Sequence, residues 1–297
     1  MLYPAILIAG VIAVGSAGLM ARYGLEAGLT AVQLSMWRMT TAAALLGIWT
    51  LLRQAKTNPL TRPQMFRLIG SGVCIGIHFA MWFLSLEYLH VARSTLMVST
   101  TPLWAGLLGF FIPALRPTKR FWTGLALALV GLFLVTTMDT PAGHLKHPDW
   151  HGDLAATIGA LIFVPYLLLS QKAQTEVPTQ QAVAWIYSAA AVTLWLMALV
   201  TGQGTVPSSL PAWGSVLGMA VIAQLGGHTV FNWALKHFSA GQVGSALLLE
   251  PVFAAVLAWV LLNERLEPLQ ELGGILLLIG VAVTLSKRKT DADPAPA

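Results

Sequence analysis

Charged residues and cysteine are scarce in this sequence. Asp, Glu, Lys and Arg make up 10% of its 297 residues, against roughly 25% in soluble domains. The single cysteine, Cys74, excludes an internal disulfide and a CxxC metal site, and within an apolar run it is expected to be a buried packing residue. A soluble fold of this composition would leave much apolar surface in water, so the composition favours a protein surrounded by lipid.

Motifs that define several protein classes are also absent. The chain contains no HExxH, GxSxG or P-loop sequence, which argues against a metalloprotease, a serine hydrolase and an ATP-driven pump. It has neither an Arg-rich voltage-sensor helix nor a TVGYG filter, which argues against a voltage-gated or potassium channel. We therefore expect a protein that is not an enzyme and that uses no cofactor.

Apolar stretches make up most of the chain, whose mean hydropathy is +0.72. Ten of them have about the 20 residues that a membrane-spanning helix needs. They lie near residues 4–22, 31–52, 65–86, 94–113, 120–138, 152–172, 181–201, 212–235, 241–262 and 270–286. No basic segment precedes the first stretch, so we interpret it as a retained helix and not as a signal peptide. The sequence thus predicts an all-α membrane protein with ten transmembrane helices.

The distribution of positive charge predicts how the chain is oriented. The net charge is +5, but the basic residues lie between the apolar runs and form no patch suited to nucleic acid. With the N-terminus inside, twelve Lys and Arg residues fall in inside loops and four in outside loops. This bias follows the positive-inside rule. It predicts a multi-pass protein of the cell (inner) membrane with both termini in the cytoplasm.

The sequence contains an internal repeat. A shift of 149 residues aligns residues 86–135 with residues 235–284 without a gap and gives nine identities over fifty positions. The most informative matches are Pro102 with Pro251, Arg116 with Arg265, Gly124 with Gly273 and Gly131 with Gly280. Each half then has five helices, and an odd number reverses the direction in which the second half enters the membrane. Two five-helix repeats of inverted topology are typical of secondary transporters, although duplication can also build a simple scaffold.

The repeat divides the chain into four parts. We expect a first repeat at residues 1–138, an extracytoplasmic linker at 139–151, a second repeat at 152–286 and a disordered cytoplasmic tail at 287–297. The linker is rich in His and Asp, which are good metal ligands. Pro148 and the irregular spacing favour a solvated linker instead, so we predict no metal site.

Five short segments carry a family resemblance. They are Trp37-Arg38, Leu86-Glu87-Tyr88, Ala234-Leu235-Lys236, Leu249-Glu250-Pro251-Val252-Phe253-Ala254-Ala255, and Leu262-Asn263-Glu264-Arg265-Leu266 followed by Gly273. Together they resemble the EamA family of the drug/metabolite transporter superfamily. Asn263 departs from the family's usual Gly-Glu-Arg turn, and Thr101 stands in the first half where Glu250 stands in the second. The resemblance implies ten helices, a central substrate cavity, and export or uptake of small metabolites of unspecified kind.

Glu250 is the most informative candidate for a functional residue. It lies near the middle of helix nine, where a lone ionised carboxylate costs on the order of several kcal/mol, so it should be protonated, paired or facing a wet cavity. Pro251 lacks an N–H and frees the carbonyl of Leu247, and Pro102 is the corresponding kink in helix four. These features favour binding of a cation or proton. The alternative is that Glu250 only caps the kink or contributes to packing.

Arg38 and a polar stripe on helix eight are further candidates for the cavity. Arg38 lies near mid-depth and must find an anion or water. It could pair with Glu250, the two could hold the carboxylate and ammonium of an amino-acid-like substrate, or Arg38 could tie helix two to backbone carbonyls. Gln224, His228 and Asn232 share one helix face. A cavity wall, with His228 as a proton-linked group, is slightly favoured over an interhelical hydrogen-bond seam.

Helices two to four add weaker candidates. His78 and Trp82 lie on one face of helix three, where a hydrogen-bonded packing role is favoured for His78. Trp37 and Trp82 lie deep enough to line an aromatic cavity, although packing is the commoner role of buried Trp. The hydroxyl groups of residues 99–101 are expected to satisfy the carbonyls that Pro102 loosens, and contact with substrate is the less favoured role.

Three functions remain open on the sequence alone. The favoured one is a secondary transporter that exports small metabolites such as amino acids by alternating access, with the proton as a candidate coupling ion. The others are an intramembrane enzyme and a flippase, both acting on lipid-linked substrates. The expected partners are a small-molecule substrate and the lipid bilayer, with no nucleic acid. The sequence does not define the oligomeric state, and a monomer is one option.

Overall fold

The computed structural model describes residues 2–53, 58–89, 91–111, 117–136, 150–204, 206–253, 256 and 268–285. Every regular element within these ranges is a helix. Four features of the sequence analysis lie outside the described residues: most of the linker (139–149), the tail (287–297), the Arg116–Arg265 match and the segment 262–266. The prediction of an all-α protein is confirmed for the described part of the chain.

The described residues form α-helices throughout the chain. They are α1 (Leu2–Gly15), α2 (Ala17–Glu26), α3 (Ala31–Leu52), α4 (Arg62–Ser85), α5 (Val91–Val98), α6 (Thr101–Leu108), α7 (Lys119–Thr136), α8 (Trp150–Glu176), α9 (Thr179–Thr201), α10 (Leu210–Gly218), α11 (Thr229–Ala234), α12 (Ala240–Leu247) and α13 (Pro268–Leu285). A π-helical segment, Met219–His228, joins α10 to α11.

Five helical runs in the described residues are long and apolar enough to cross a membrane. They are Leu2–Glu26, Arg62–Ser85, Trp150–Glu176, Thr179–Thr201 and Leu210–Ala234. Side chains on the outside of these and neighbouring helices are large and apolar, such as Phe66, Phe111 and Val200, which are 75%, 84% and 88% exposed. Exposure of apolar side chains at such positions is favourable in lipid and unfavourable in water. The chain is therefore a multi-pass membrane protein, and the count of ten spans stays a prediction.

Side-chain caps begin several of the helices. Capping boxes join Thr30 with Gln33, Thr61 with Gln64 and Ser239 with Gln242. In each box the hydroxyl accepts a hydrogen bond from a free N–H of the first turn, and the Gln side chain accepts one from the cap residue. Such pairs fix where α3, α4 and α12 start, and they satisfy backbone groups that hydrocarbon could not.

The helix boundaries recur at about half the length of the chain. α12 ends 149 residues after α5. α9 and α10 begin 148 residues after α3 and α4, respectively. The repeat detected in the sequence is thus accompanied by a repeat of local structure that covers both halves.

α7 and α13 pack against each other through four glycines. A Cβ atom added to Gly124 would lie 2.7 Å from the carbonyl oxygen of Gly280, and one added to Gly131 would lie 2.5 Å from that of Gly273. Because the contacts run in opposite order along the two helices, α7 and α13 are antiparallel. The four residues are the two glycine pairs related by the 149-residue shift, and their small size lets the backbones approach closely. We call this contact the glycine seam.

Candidate functional site

A cavity lies where helices of both halves come together. It offers about 40 Å³ to the centres of water-sized molecules. Its walls come from α1, α4, α5, α6, α8, the π-helical segment, α12 and the turn that follows α12. Most of its lining side chains are polar or aromatic, among them His78, Trp82, Thr95, Ser99, His228 and Glu250. These polar groups stand among apolar lining residues such as Val14, Val98 and Leu247.

Two interrupted helices form one side of the cavity. In the first half α5 stops at Val98, and α6 starts at Thr101, one residue before Pro102. In the second half α12 stops, and the helical backbone resumes at Glu250, one residue before Pro251. Proline has no N–H to donate, so each break leaves a carbonyl of the preceding turn without its usual partner. The two predicted kink residues thus lie at interruptions that face the cavity.

Positions related by the repeat line the same cavity. Thr95 and Gly244, Val98 and Leu247, and Thr101 and Glu250 form three lining pairs, each related by the 149-residue shift. The two halves therefore contribute equivalent surfaces to one site. The surfaces differ in chemistry, because a hydroxyl group in the first half is replaced by a carboxyl group in the second.

The hydroxyl groups of the first half are used by the backbone. Thr101 Oγ1 donates to the carbonyl oxygen of Val98 at 3.0 Å and also lies 3.2 Å from that of Ala160. Thr100 Oγ1 donates to the carbonyl oxygen of Met97 at 2.6 Å. The predicted role of these hydroxyls, to satisfy a carbonyl loosened by the proline, is confirmed for Thr101, because Pro102 removes the usual donor to the Val98 carbonyl.

Glu250 has no comparable partner. Within the described part of the chain its carboxyl group makes neither a hydrogen bond nor an ion pair. Its interaction with Arg38 is a longer-range attraction between charges, so the Glu250–Arg38 pair considered from the sequence is not formed in this conformation. The side chain borders the cavity instead, where it can meet a solute.

Arg38 is fully buried behind the wall of the cavity. Its Nε–H donates to Gln224 Oε1 at 3.0 Å. The guanidinium carbon lies 4.2 Å from the centre of the Phe79 ring, which is a cation–π distance. Neither Nη1 nor Nη2 has a hydrogen-bond partner among the described residues. Arg38 does not line the cavity, and Phe79 packs between it and the lining residues.

The predicted polar stripe of Gln224, His228 and Asn232 has three different environments. Gln224 is buried and accepts the hydrogen bond from Arg38, whereas His228 lines the cavity. Asn232 lies further along and donates to Tyr166 Oη at 2.8 Å and to the carbonyl oxygen of His228 at 2.9 Å. It also accepts a hydrogen bond from Ser170 Oγ. The stripe therefore combines a cavity wall at His228 with an interhelical hydrogen-bond seam at Asn232.

A π-helical geometry sets the direction of these side chains. The carbonyl oxygen of Gln224 accepts the N–H of Thr229, five residues on, and lies 3.3 Å from the hydroxyl groups of both Tyr187 and Thr229. Gly227 presses against α1, and a Cβ there would lie 3.1 Å from the carbonyl oxygen of Gly10. Inserted hydroxyl groups and close backbone contact are known causes of such distortions, which often occur at functional sites.

The weaker candidates separate into two groups. His78 Nδ1 lies 3.0 Å from the carbonyl oxygen of Gly159, which can only accept, so Nδ1 carries the proton. The same ring lines the cavity together with Trp82, whose Nε1 has no partner in the part of the chain that the structure describes. Trp37 does not line the cavity. Its ring centre lies 5.3 Å from that of Trp213 and 5.5 Å from that of Trp195.

Sequence reasoning missed several residues that shape the site. Thr95 and Phe163 line the cavity, Phe79 covers Arg38, and Tyr187 bonds to the π-helical segment. The repeat offered a signal for Thr95, because the 149-residue shift pairs it with Gly244 as it pairs Thr101 with Glu250. A tyrosine in the middle of an apolar helix is also informative, since a buried hydroxyl group needs a partner.

The fold and the cavity together define a class of protein. The described residues form helices only, in a multi-pass membrane protein with a cavity lined by side chains from both halves of the sequence. It belongs to the EamA-like transporter family, whose sequence model matches residues 2–137 and 150–286. The resemblance found in the sequence is confirmed, and with it the expectation of a transporter and not an enzyme.

Named relatives in this family are transporters. The chain is 25% identical to the pseudopaline exporter CntI of Pseudomonas aeruginosa over 89% of each sequence. It is 25% identical to the threonine/homoserine exporter RhtA of Escherichia coli over 82% of this chain and 81% of that protein. An uncharacterized transporter of Archaeoglobus fulgidus is 21% identical over 86% and 88% of the two chains.

A solved crystal structure has the same fold. It superimposes with a TM-score of 0.76 and covers 95% of this chain and 96% of that one, at 18% sequence identity. At this level of identity the likeness extends to the fold alone. It shows that the arrangement of helices described above is adopted by another protein over nearly its whole length.

Proposed function

We propose that this protein is a secondary transporter that exports small metabolites, such as amino acids or related amphipathic compounds, by alternating access around the central cavity. The observation that carries the proposal is the Glu250 carboxyl group, which borders the cavity beside a proline-interrupted helix and has no partner among the described residues. Interrupted helices at mid-membrane form the substrate and ion sites of many secondary transporters. The names of two relatives, both exporters, support the direction of transport.

The size of the cavity supports a mechanism with more than one conformation. The volume open to water-sized molecules is about 40 Å³, whereas small-molecule pockets measure roughly 300–1,000 Å³. We infer that substrate enters and leaves in conformations in which the two helix breaks separate on one side of the membrane at a time. Glu250 and His228 are the lining groups to which we assign exchange of a coupling proton.

The proposed architecture is ten transmembrane helices in two inverted repeats, residues 1–138 and 152–286, joined by an extracytoplasmic linker at 139–151. The recurrence of helix boundaries and the antiparallel direction of α7 and α13 support it. The distribution of Lys and Arg supports a cytoplasmic position for both termini in the inner membrane.

Cysteine labelling tests the inverted topology. Lys119 and Pro268 are exposed first residues of α7 and α13 and are related by the repeat. In a Cys74→Ser background, we expect a membrane-impermeant maleimide to label Pro268→Cys in intact cells. Lys119→Cys should react only after the cells are permeabilised, because the two helices enter from opposite sides. Labelling of both positions from the same side would contradict the inversion.

Transport by purified protein in liposomes tests the function itself. We expect proteoliposomes loaded with unlabelled threonine or homoserine to accumulate the labelled compound by exchange. Liposomes prepared without the protein should accumulate none. A fluorescent lipid in the same membranes provides a control for flipping of lipid. Movement of lipid without movement of any amino acid or related metabolite would contradict the proposal and favour a flippase.

A further inference from the structure

Four buried nitrogen atoms form a cluster in and behind the wall of the cavity. They are Nη1 and Nη2 of Arg38, Nε2 of Gln224 and Nδ1 of His228, and none has a hydrogen-bond partner within the described residues. Arg38 and Gln224 are hydrogen-bonded to each other, and His228 follows Gln224 after four residues of the π-helical segment. Buried polar groups are nearly always paired, so an unpaired cluster calls for an explanation.

Three atoms of the cluster, those of Arg38 and Gln224, are hydrogen-bond donors, and Nδ1 of His228 is a donor in the tautomer that carries the proton there. The guanidinium group of Arg38 stays charged and has no acceptor atom. Because its Nε–H donates to Gln224 Oε1, the orientation of the amide is fixed, and the remaining amide atom, Nε2, is a donor. Planar guanidinium groups bind carboxylates through two parallel hydrogen bonds. The group that fits this cluster is therefore a carboxylate.

Phe79 contacts both Arg38 and the wall of the cavity. The guanidinium carbon of Arg38 lies 4.2 Å from the centre of the Phe79 ring. The same ring contacts the rings of His78 and His228, both at 5.1 Å between centres. Since both histidines line the cavity, the Phe79 ring joins the guanidinium group of Arg38 to the cavity wall.

We propose that Arg38, Gln224 and His228 form a subsite for the carboxylate group of the substrate, and that Phe79 covers this subsite until it moves aside. The inference rests on the proposed transport function and names the substrate class: compounds that carry both a carboxylate and an ammonium group. Glu250, on the wall of the same cavity, receives the ammonium group.

Matched ligands test the subsite directly. Threonine and 1-amino-2-propanol differ only by the carboxylate, and their binding to purified protein can be compared by calorimetry. We expect the wild type to bind threonine about 10- to 100-fold more tightly than the amine, which is the range for hydrogen bonds to charged groups. Arg38→Gln should weaken binding of threonine by a similar factor and leave binding of the amine unchanged.

A second variant keeps the test independent of any folding defect in Arg38→Gln. Gln224→Glu adds a carboxylate beside Arg38 and so fills the subsite from within the chain. We expect it to melt at the wild-type temperature or higher and to lose its preference for threonine over the amine. Gln180→Glu makes the same chemical change beside Thr50, away from the cavity, and should keep the wild-type preference.

The possible outcomes separate the subsite from the transport function. Equal preference for threonine in the wild type and in Gln224→Glu would overturn the carboxylate subsite and leave transport intact. Tighter binding of the amine than of threonine by the wild type would also overturn it. A wild-type protein that transports neither threonine nor any other metabolite in liposomes would overturn the proposed function, and the subsite with it.

Discussion

Glu250→Gln is expected to reduce transport in liposomes by about 100-fold, the upper range for the loss of a hydrogen bond to a charged group. The amide keeps the size and shape of the side chain, so the helix break beside Pro251 can form as before. It removes the negative charge and the ability to take up and release a proton. Initial rates of threonine exchange, normalised to the amount of inserted protein, measure the effect.

A matched control is available on a neighbouring helix. Glu271 is an exposed acid in the first turn of α13, and Glu271→Gln makes the same chemical change outside the cavity. We expect its rate of transport and its membrane insertion to equal those of the wild type. Full transport by Glu250→Gln would remove the role that we assign to this carboxyl group. A loss of insertion in that variant would instead favour a contribution to packing.

The comparison between the two halves explains why Glu250 should have so large an effect. Thr101 is its equivalent in the first half and uses its hydroxyl group on the carbonyl oxygen of Val98. Glu250 has the same position beside a proline but makes no such hydrogen bond within the described chain. A residue that only completed the helix break would need no charge, because the first half does the same with threonine.

Much of the fold could be predicted from the sequence because hydrocarbon imposes simple rules. A spanning helix needs a long apolar run and complete internal hydrogen bonding, and both requirements are visible in composition. The positions of Pro102 and Pro251 predicted the helix breaks, since proline removes a donor wherever it stands. The 149-residue shift predicted matched halves, and the recurring helix bounds agree with it.

The site was only partly predictable, because its geometry depends on contacts between distant parts of the chain. Four of the eight predicted cavity residues border the cavity: His78, Trp82, His228 and Glu250. Arg38 was expected there from its depth alone, but the packing of Phe79 against it keeps it behind the wall. A helical wheel placed Gln224 and Asn232 beside His228, and it could not show that their partners come from α3 and α8.

The geometry of the π-helical segment could not be predicted from the spacing of polar residues. The spacing of four between polar residues was interpreted with an α-helical period. The actual geometry depends on the hydroxyl groups of Tyr187 and Thr229, which bind the Gln224 carbonyl oxygen, and on the close approach of α1. Two consecutive glycines, Gly226 and Gly227, were the local signal that this helix could deviate, since glycine weakly supports an α-helix.

Gly131→Ala is expected to lower the free energy of unfolding by about 1–3 kcal/mol, as overpacking of a tight interior does. The new Cβ would lie 2.5 Å from the carbonyl oxygen of Gly273. This neighbour is a backbone atom that cannot rotate away, so α7 and α13 must move apart. Gly280→Ala should have the same effect, because its Cβ would lie 2.7 Å from the carbonyl oxygen of Gly124 in the equivalent contact. Thermal unfolding in detergent measures both.

The same substitution at Gly274 should have the opposite sign, and that contrast makes the test specific for the glycine seam. A Cβ there meets nothing closer than two Val252 carbons at 4.0 Å, and alanine favours a helix over glycine by roughly 0.8–1.0 kcal/mol. Unchanged stability of Gly131→Ala would show that α7 and α13 are not in close contact. A loss at Gly131 and Gly280 with a gain at Gly274 would instead require tight packing at both of these glycines of the seam. In the structure the seam is antiparallel, as an inverted second half requires, so close packing of α7 and α13 supports the topology on which alternating access depends.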